Sequence, residues 1–405
     1  MNSLDVIEHK YCRLCNSDKL FELFSLGTQY VNDFVKKESI GKGIKAPLDL
    51  VLCKNCTLIQ LRHTAPQELL YSRFYWYRSG VTQIMRNGLK DIAEAAQREI
   101  DFKKDDIILD IGANDGTLLR YFSHLETIKI GCEPAKNLTG SLKEVTPYII
   151  DDFWSYDNFI DFAKKRNLNK KAKLVTAIGM FYDLENPNKF VNDISKCLDE
   201  NGLFIAQLMS LKPMLEKNDL GNICHEHLEF YSSESLKYLF ENNGLEIFKI
   251  EENSINGGSV RIFAKKLKYG SISLSDNITE RDLAKFKFRI DDNRNKCVEF
   301  IKSEVKKGKK VFVYGASTKG NVILQYYGLD NTLIEAAAEK SKEKWGLYTV
   351  GSWIPIISEE EAREKKPDYF LILPWAFTKE FVEREKKWRE EGGKFIVPLP
   401  NFTVI

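Results

Sequence analysis

Two of the five histidines in this 405-residue chain lie in one tripeptide, His225-Glu226-His227. Imidazole and carboxylate groups transfer protons near neutral pH, because burial and neighbouring charges tune their pKa values. At most two of three consecutive side chains can face one site, since neighbours on a helix or strand point in different directions. The tripeptide predicts a general base, with a structural pair of histidines as an equally weighted interpretation and a zinc site as a third.

Four of the eight cysteines form two Cys-x-x-Cys pairs, and the pairs are separated by 37 residues. This pattern is typical of a zinc ion held by four thiolates, which leaves no coordination position open for water or substrate. We expect a structural zinc, and because the intervening segment carries few apolar residues, metal binding should supply much of its folding free energy. A redox dithiol is the alternative. The predicted ligands are Cys12, Cys15, Cys53 and Cys56.

A loop of small residues, 112–116, follows an apolar, β-branched strand and precedes a helix. Backbone amides in such a turn bind the polar end of a ligand, and the next strand ends in an acid suited to ribose hydroxyls. The loop lacks dinucleotide glycine spacing, and its aspartate would repel phosphate, so S-adenosylmethionine is the predicted ligand. Its predicted contacts are Gly112, Asn114, Asp115, Gly116 and Glu133, with Asp152 and Phe153 at the adenine.

A second loop, 315–320, lies near the C-terminus between a strand and a helix. Its amides, two hydroxyls and one ammonium suit an anion, but the Walker spacing is missing. We therefore expect pyrophosphate binding without hydrolysis, and a purely structural lid is the alternative. The predicted contacts are Gly315, Ser317, Thr318, Lys319 and Asn321.

An aromatic segment at residues 68–80 is interrupted by two arginines. Aromatic clusters most often pack in cores. Here a phenol and a guanidinium are close enough in sequence to line a substrate pocket, so pocket and core are weighted equally. The candidate substrate residues are Tyr75, Tyr77 and Arg78.

Strands and helices alternate from residue 106 to residue 208, and again from residue 310. Alternation predicts parallel sheets with crossover helices, hence an α/β fold with two Rossmann-like units. A charged helical stretch at about 280–305 is interpreted as a solvated linking helix. The predicted domains are a zinc module at 1–68, a cofactor domain at 69–268 and a C-terminal α/β domain at 269–405.

The overall composition excludes several classes of protein. Hydrophobic residues make up 43% of the chain, charged residues 29%, and the net charge is +2. Such a balance gives no general attraction to nucleic acid or to a membrane surface. The acidic N-terminus does not resemble a signal peptide, and no apolar run approaches a membrane span. We expect a cytoplasmic protein that is a monomer or a homodimer.

Taken together, these features resemble the S-adenosylmethionine-dependent sugar C-methyltransferases, which act on nucleotide-linked 4-keto-6-deoxyhexoses. The resemblance covers essentially the whole chain and rests on the cysteine pairs and on the segments 111–116, 180–183, 223–228, 256–259, 355–360 and 367–375. It implies that the terminal domain holds the sugar nucleotide. It also implies that His227 is the general base, with Glu226 supporting it and Tyr77, or else Tyr75, near the sugar. Some members carry a tyrosine where this chain has Cys224.

The implied chemistry needs a ketone, because carbon is a poor nucleophile. Removing the C3 proton of a 4-keto sugar gives an enolate that attacks a sulfonium methyl group. We expect His227 to take this proton and Tyr77 or His225 to donate to the C4 oxygen. The competing hypotheses are an O-methyltransferase, a non-catalytic nucleotide-sugar-binding protein and, ranked last, a dehydrogenase.

Overall fold

Three sheets, of four, seven and six strands, organise the chain in the computed structural model, which describes residues 5–66, 69–70 and 76–405. No helix within these residues is both long and apolar enough to cross a membrane.

The N-terminal unit is built from antiparallel strands, in which β4 pairs with β2 on one side and β5 on the other. Inward-facing residues of β4 such as Leu48 and Leu50 are buried, as expected for one covered face of a sheet. A 3₁₀ turn covers Lys37–Ser39. The strands are β1 (Ile7–Glu8), β2 (Leu20–Tyr30), β3 (Phe34–Val35), β4 (Lys45–Cys53), β5 (Ile59–Leu61) and β6 (His63–Thr64).

The middle unit is a seven-stranded sheet in the order β13-β14-β11-β10-β7-β8-β9. Strands β7 to β11 are parallel, whereas β14 is antiparallel to both β11 and β13. This confirms the predicted Rossmann-like sheet. The strands of this sheet are β7 (Ile107–Ile111), β8 (Ile128–Cys132), β9 (Tyr148–Ile150), β10 (Ala172–Ile178), β11 (Leu198–Met209), β13 (Leu245–Asn253) and β14 (Ser259–Lys266), whereas the short strand β12 (Glu229–Phe230) pairs with β5 instead.

Helices connect these strands. Thr82 caps α1 by accepting a hydrogen bond from the Met85 amide. Two 3₁₀ turns, Leu220–Asn222 and Ile255–Gly257, lie in the same unit. The helices are α1 (Gln83–Glu99), α2 (Thr117–Arg120), α3 (Thr139–Lys143), α4 (Tyr156–Lys165), α5 (Pro187–Cys197), α6 (Leu211–Glu216) and α7 (Ser233–Asn242).

The C-terminal unit is a second Rossmann-like sheet in the order β18-β16-β15-β19-β20-β21, parallel except for β21. The strands of this sheet are β15 (Val311–Tyr314), β16 (Ala337–Glu339), β18 (Ile356–Ser358), β19 (Tyr369–Ile372), β20 (Lys394–Val397) and β21 (Thr403–Val404), whereas the short strand β17 (Tyr348–Thr349) pairs with β3 instead. Its helices are α8 (Glu280–Lys306), α9 (Thr318–Tyr327), α10 (Glu359–Glu364), α11 (Thr378–Arg384) and α12 (Lys386–Glu390), with 3₁₀ turns at Lys342–Lys344 and Trp375–Phe377.

Helix α8 is not the solvated linker that its charge suggested. One face of it is buried, and Phe286 on that face packs against Phe24 of β2 with ring centroids 6.0 Å apart. The same apolar cluster contains Leu50 from β4 and Val313 from β15. The charged residues occupy the other face, so α8 joins the N-terminal and C-terminal units through a shared core.

Two short strand pairings also cross between units. Glu229 of β12 pairs with Gln60 of β5, and Tyr348 of β17 pairs with Val35 of β3. The N-terminal unit is therefore attached by backbone hydrogen bonds to both Rossmann-like units. In each of these the strand order reverses next to the first strand, between β7 and β10 and between β15 and β19.

Candidate active site

A cavity of about 520 Å³ lies where the strand orders of the two Rossmann-like sheets reverse. Residues that follow β7 and β10 line it from one side, and residues that follow β15 and β19 line it from the other. The carboxyl ends of parallel strands at such switch points are the usual place for ligands in open α/β sheets. The segment between α6 and β12, which contains the His-Glu-His tripeptide, adds Asp219 and His227 to the wall.

The cavity brings together about half of the residues predicted for the site. Those in its wall are Tyr77, Gly112, Asn114, Glu133, Phe153, His227, Ser317, Thr318 and Lys319. The predicted residues that lie outside the wall are Arg78, Asp115, Gly116, Asp152, His225, Glu226, Gly315 and Asn321. Tyr75 lies outside the described residues.

His227 is the buried base candidate of the wall, with 8% of its surface exposed. Its Nδ1 lies 2.8 Å from the Asn222 carbonyl oxygen. A carbonyl only accepts, so Nδ1 carries the proton and Nε2 keeps its lone pair. Desolvation, and then the Lys319 ammonium, lower the pKa of His227 to about 3, so the ring is neutral at physiological pH. Tyr182 packs edge-on against it, with ring centroids 4.5 Å apart.

The other two residues of the tripeptide point elsewhere. His225 is buried, with Nε2 3.0 Å from the Ala46 carbonyl oxygen, so it fixes the segment to β4 and does not reach the cavity wall. Glu226 accepts a hydrogen bond from Asn32 Nδ2 at 3.3 Å. His225 and Glu226 form a turn, in which consecutive side chains face different directions, and only His227 of the three lies in the cavity wall. Cys224 is also buried outside the wall.

The loop after β7 brings its backbone close to Glu133, the acid that follows β8. Gly112 has φ +71°, and a Cβ there would lie 3.0 Å from Met180 Cγ. Glu133 accepts the Asn114 amide at 2.8 Å and, through its other oxygen, the Ala135 amide at 2.8 Å. Each carboxylate oxygen keeps a second lone pair, so this orientation suits ribose hydroxyls.

Three other predicted cofactor residues, Asp115, Gly116 and Asp152, lie outside the cavity wall. Asp115 accepts hydrogen bonds from the Gly80 amide at 2.7 Å and from the Thr117 hydroxyl at 2.6 Å. Both of its carboxylate oxygens are therefore already hydrogen-bonded within the protein. Gly116 has φ +77°, and a Cβ there would lie 2.8 Å from Val145. Asp152 is exposed and accepts a hydrogen bond from the Phe153 amide. Of these two residues, only Phe153 lies in the cavity wall.

Of the described residues of the aromatic segment, Tyr77 and Ser79 lie in the cavity wall. Tyr77 lines the cavity, and its carbonyl accepts a hydrogen bond from Asn114 Nδ2 at 3.1 Å. Arg78 instead forms an ion pair with Glu343 at 3.1 Å, which links the segment to the C-terminal unit. The sequence could not separate these roles, because both residues belong to one aromatic and basic run.

The second loop presents its hydroxyls and its lysine to the cavity. Ser317 caps α9 by accepting the Gly320 amide at 3.0 Å, and Lys319 Nζ lies 2.5 Å from Asn222 Oδ1. Gly315 is tightly packed instead, since a Cβ there would lie 2.7 Å from Pro374. Asn321 is buried and donates to the Asp33 carbonyl oxygen at 3.3 Å.

Asp183 is a wall residue that the sequence predictions did not include as a site residue. Its Oδ1 is buried, and no hydrogen-bond partner for this atom occurs among the described residues. Desolvation raises the pKa of Asp183 well above its ordinary value, which favours the neutral carboxylic acid. Its position just after β10 was the available signal. Trp375, which follows β19 in the same way, had a similar signal, whereas Asp219 had none, because only the tertiary fold brings it to the wall.

The four predicted zinc ligands form one cluster. Their sulfur atoms all lie within 4.8 Å of one another, with Cys12 to Cys56 at 3.5 Å and Cys15 to Cys53 at 3.4 Å. Four sulfurs around a tetrahedral zinc are separated by similar distances. The donor set therefore fits the ion, and three of the four residues are buried.

Comparison with known families covers almost the whole chain in three consecutive parts. A C-methyltransferase C-terminal domain matches residues 254–400, a methyltransferase domain matches 78–250, and a zinc-binding domain matches 12–71. The C-methyltransferase NovU of Streptomyces niveus is 29% identical over 411 residues, which cover 97% of this chain and 96% of NovU. These matches identify the chain as an S-adenosylmethionine-dependent C-methyltransferase.

Solved methyltransferase structures resemble about half of this C-methyltransferase. Magnesium protoporphyrin IX methyltransferase of Synechocystis PCC 6803 with bound SAM is 9% identical, with a TM-score of 0.35 over 47% of this chain and 88% of its own. An S-adenosylmethionine-dependent methyltransferase from Clostridium acetobutylicum ATCC 824 is 13% identical, with a TM-score of 0.34 over 46% of this chain and 94% of its own.

The C-methyltransferase uses S-adenosylmethionine and carries a structural zinc. Gly112, Glu133 and Phe153, three of the residues that the sequence predicts at the cofactor, line the cavity. The zinc-binding cluster lies in the N-terminal unit, in the part of the chain that matches the zinc-binding domain.

Proposed function

We propose that this C-methyltransferase methylates C3 of a nucleotide-linked 4-keto-6-deoxy sugar through an enolate, with His227 as the base. The observation that carries the proposal is the state of His227: a buried, neutral imidazole in the cavity wall whose Nε2 holds the free lone pair. A neutral base beside an acceptor site is what proton removal from carbon requires.

His227 Nε2 takes the proton from C3, and the electron pair of the C3–H bond moves into the enolate, so negative charge develops on the C4 oxygen. The enolate electron pair would form the new C3–C bond to the methyl group of bound S-adenosylmethionine as the sulfur–methyl bond breaks, with its electron pair left on sulfur and S-adenosylhomocysteine released. Because the pKa of His227 is low, much of the acidity at C3 must come from stabilising the C4 oxyanion.

Two wall residues can donate a hydrogen bond to that oxygen. Tyr77 brings a phenol, and Asp183 brings a carboxyl that burial favours in its neutral, donating form. His225, the other predicted donor, is committed to Ala46. We therefore assign oxyanion stabilisation to Tyr77 and Asp183.

The C-terminal Rossmann-like unit is proposed to hold the nucleotide of the substrate. Ser317 and Thr318 face the cavity at the N-terminus of α9, where amides and hydroxyls favour a diphosphate. The sugar is then proposed to lie between the two switch points, with the cofactor on one side and the nucleotide on the other. An O-methyltransferase on the same sugar would need no ketone, so the two reactions differ in their substrate requirement.

The test is to incubate the enzyme with S-adenosylmethionine and nucleotide-linked sugars that either carry or lack a 4-keto group, and to locate the new methyl group by mass spectrometry and NMR. We expect transfer to carbon, and only with the keto sugars. Transfer to oxygen, or equal transfer to the 4-hydroxy sugars, would contradict the proposal.

A further inference from the structure

We infer that Lys319 and Trp375 of the C-terminal unit are positioning residues that fix the imidazole tautomer of His227. They act through Asp219 and Asn222, which connect the C-terminal unit to the base by a continuous chain of hydrogen bonds. The inference rests on the proposed role of His227 and deepens it.

The chain begins at Trp375, whose Nε1 donates to Asp219 Oδ1 at 3.2 Å. The other oxygen of Asp219 accepts Asn222 Nδ2 at 2.9 Å. Lys319 Nζ donates to Asn222 Oδ1 at 2.5 Å. Both ends of the Asn222 amide are therefore held, and both holding groups belong to, or are fixed by, the C-terminal unit.

The fixed side chain determines where the Asn222 carbonyl points. Asn222 ends the 3₁₀ turn Leu220–Asn222, and its amide bonds to the Asp219 carbonyl at 3.2 Å. Because the side chain and the backbone N–H of Asn222 are both hydrogen-bonded, its backbone carbonyl oxygen is directed at His227 Nδ1, 2.8 Å away. An acceptor at Nδ1 places the proton there and leaves Nε2 basic, whereas a mobile acceptor would allow the opposite tautomer.

Close packing supports the same connection independently of the hydrogen bonds. Gly221, in the middle of the turn, lies so near α9 that an added Cβ would be 3.1 Å from Lys319 Cβ and 3.4 Å from its carbonyl oxygen. Asp219 and Asn222 are 5% and 4% exposed, so water does not compete for their polar groups. The turn and the start of α9 therefore form one rigid contact.

The consequence is that the base is prepared by the unit proposed to bind the nucleotide. Lys319 and Trp375 follow β15 and β19, the two strands at the switch point of that unit. A disturbance at this switch point reaches His227 through two side chains. Neither residue needs to touch the sugar for the effect to occur.

The test is the ¹⁵N NMR spectrum of histidine-labelled, full-length protein at pH 7.5 without substrate, with His227→Gln used to assign the His227 signals. The wild type is expected to show only the Nδ1–H tautomer. In Lys319→Met and in Trp375→Phe we expect a signal of the Nε2–H tautomer to appear, and Lys319→Arg should restore the wild-type pattern.

Lys344→Met is the matched control, since this largely buried lysine of the same unit donates to the Ala316 carbonyl and not to Asn222. A pure Nδ1–H signal in both Lys319→Met and Trp375→Phe, with wild-type melting temperatures, would overturn the inference. The same loss of tautomer in Lys344→Met would also overturn it. Retained methyl transfer by His227→Gln would instead contradict the proposed base, so the two failures are distinguishable.

Discussion

At the scale of single residues, the two histidines of the tripeptide share burial but differ in purpose. Burial lowers the pKa of His225 to about 4 and that of His227 to about 3. His227 faces a cavity, where a neutral ring is useful, whereas His225 bonds to the backbone of β4. A buried neutral histidine makes folding sensitive to acid, because the unfolded chain binds the proton more readily.

This predicts a loss of stability in acid with a defined sign. Both folded-state pKa values lie below the unfolded value, so the stabilisation is complete above about pH 6.5 and is lost as the pH falls towards 4. Urea unfolding measures the free energy of unfolding at pH 7.5 and at pH 5.5. Between these two pH values, His225→Gln should lose about 1 kcal/mol less of this free energy than the wild type loses. The exposed His124→Gln is the control, and equal losses in both variants would contradict the account.

Among the residue predictions, the zinc ligands are those for which chemistry and spacing agree. The two Cys-x-x-Cys pairs predicted a zinc site, and the four sulfurs form one cluster. The tripeptide alone predicted a base but not which residue faces the cavity, since the path of an irregular loop is set by tertiary contacts, and only the family resemblance singled out His227. Asp219 had no signal, because it meets Trp375 only after the two Rossmann-like units assemble.

At the scale of elements, α8 is a packing helix whose burial the sequence concealed. Its charged face dominates the composition, but its apolar stripe completes a core between β2 and β15. By contrast, the alternation of strands and helices predicted both parallel sheets correctly. The spacing of apolar residues, every second residue in a strand and every 3.6 residues in a helix, can be recognised from a short stretch of sequence. Which face of an amphipathic helix finds a partner depends on distant strands.

The packing role of α8 predicts a large difference between two neighbouring phenylalanines. Phe286 is fully buried, and Phe288 is 73% exposed. Phe286→Ala should lower the free energy of unfolding by about 3–5 kcal/mol, whereas Phe288→Ala should change it by about 0.5 kcal/mol or less. Denaturant titration measures the free energy of unfolding of both variants. Similar losses in the two would contradict the packing role of α8 and support a solvated linker.

The loop after β7 predicts a second paired comparison. Gly112→Ala places a Cβ against Met180 and strains a backbone at φ +71°, so we expect the Kd for S-adenosylmethionine to rise by about tenfold or more. Gly140→Ala, in α3 with no atom near the new Cβ, is the control and should leave binding unchanged. Isothermal titration calorimetry measures both, and unaltered binding by Gly112→Ala would remove this loop from the cofactor site.

At the scale of the whole molecule, three units enclose one reaction space. The zinc-binding unit pairs strands with both Rossmann-like units, and α8 seals them through a shared core. Each Rossmann-like sheet then presents its switch point to the same cavity. The sequence predicted the units and their order, but not the hydrogen bonds that connect His227 through Asn222 to Lys319 of the C-terminal unit, which are a property of the assembly.

The most direct measurement is the exchange of the C3 proton in deuterated water. The enzyme is incubated with a nucleotide-linked 4-keto-6-deoxy sugar and S-adenosylhomocysteine, and deuterium at C3 is followed by mass spectrometry and NMR. The account predicts incorporation of one deuterium at C3 by the wild type and none by His227→Gln, with substrate binding retained in both. Exchange at the wild-type rate in His227→Gln would contradict the assignment of His227 as the base.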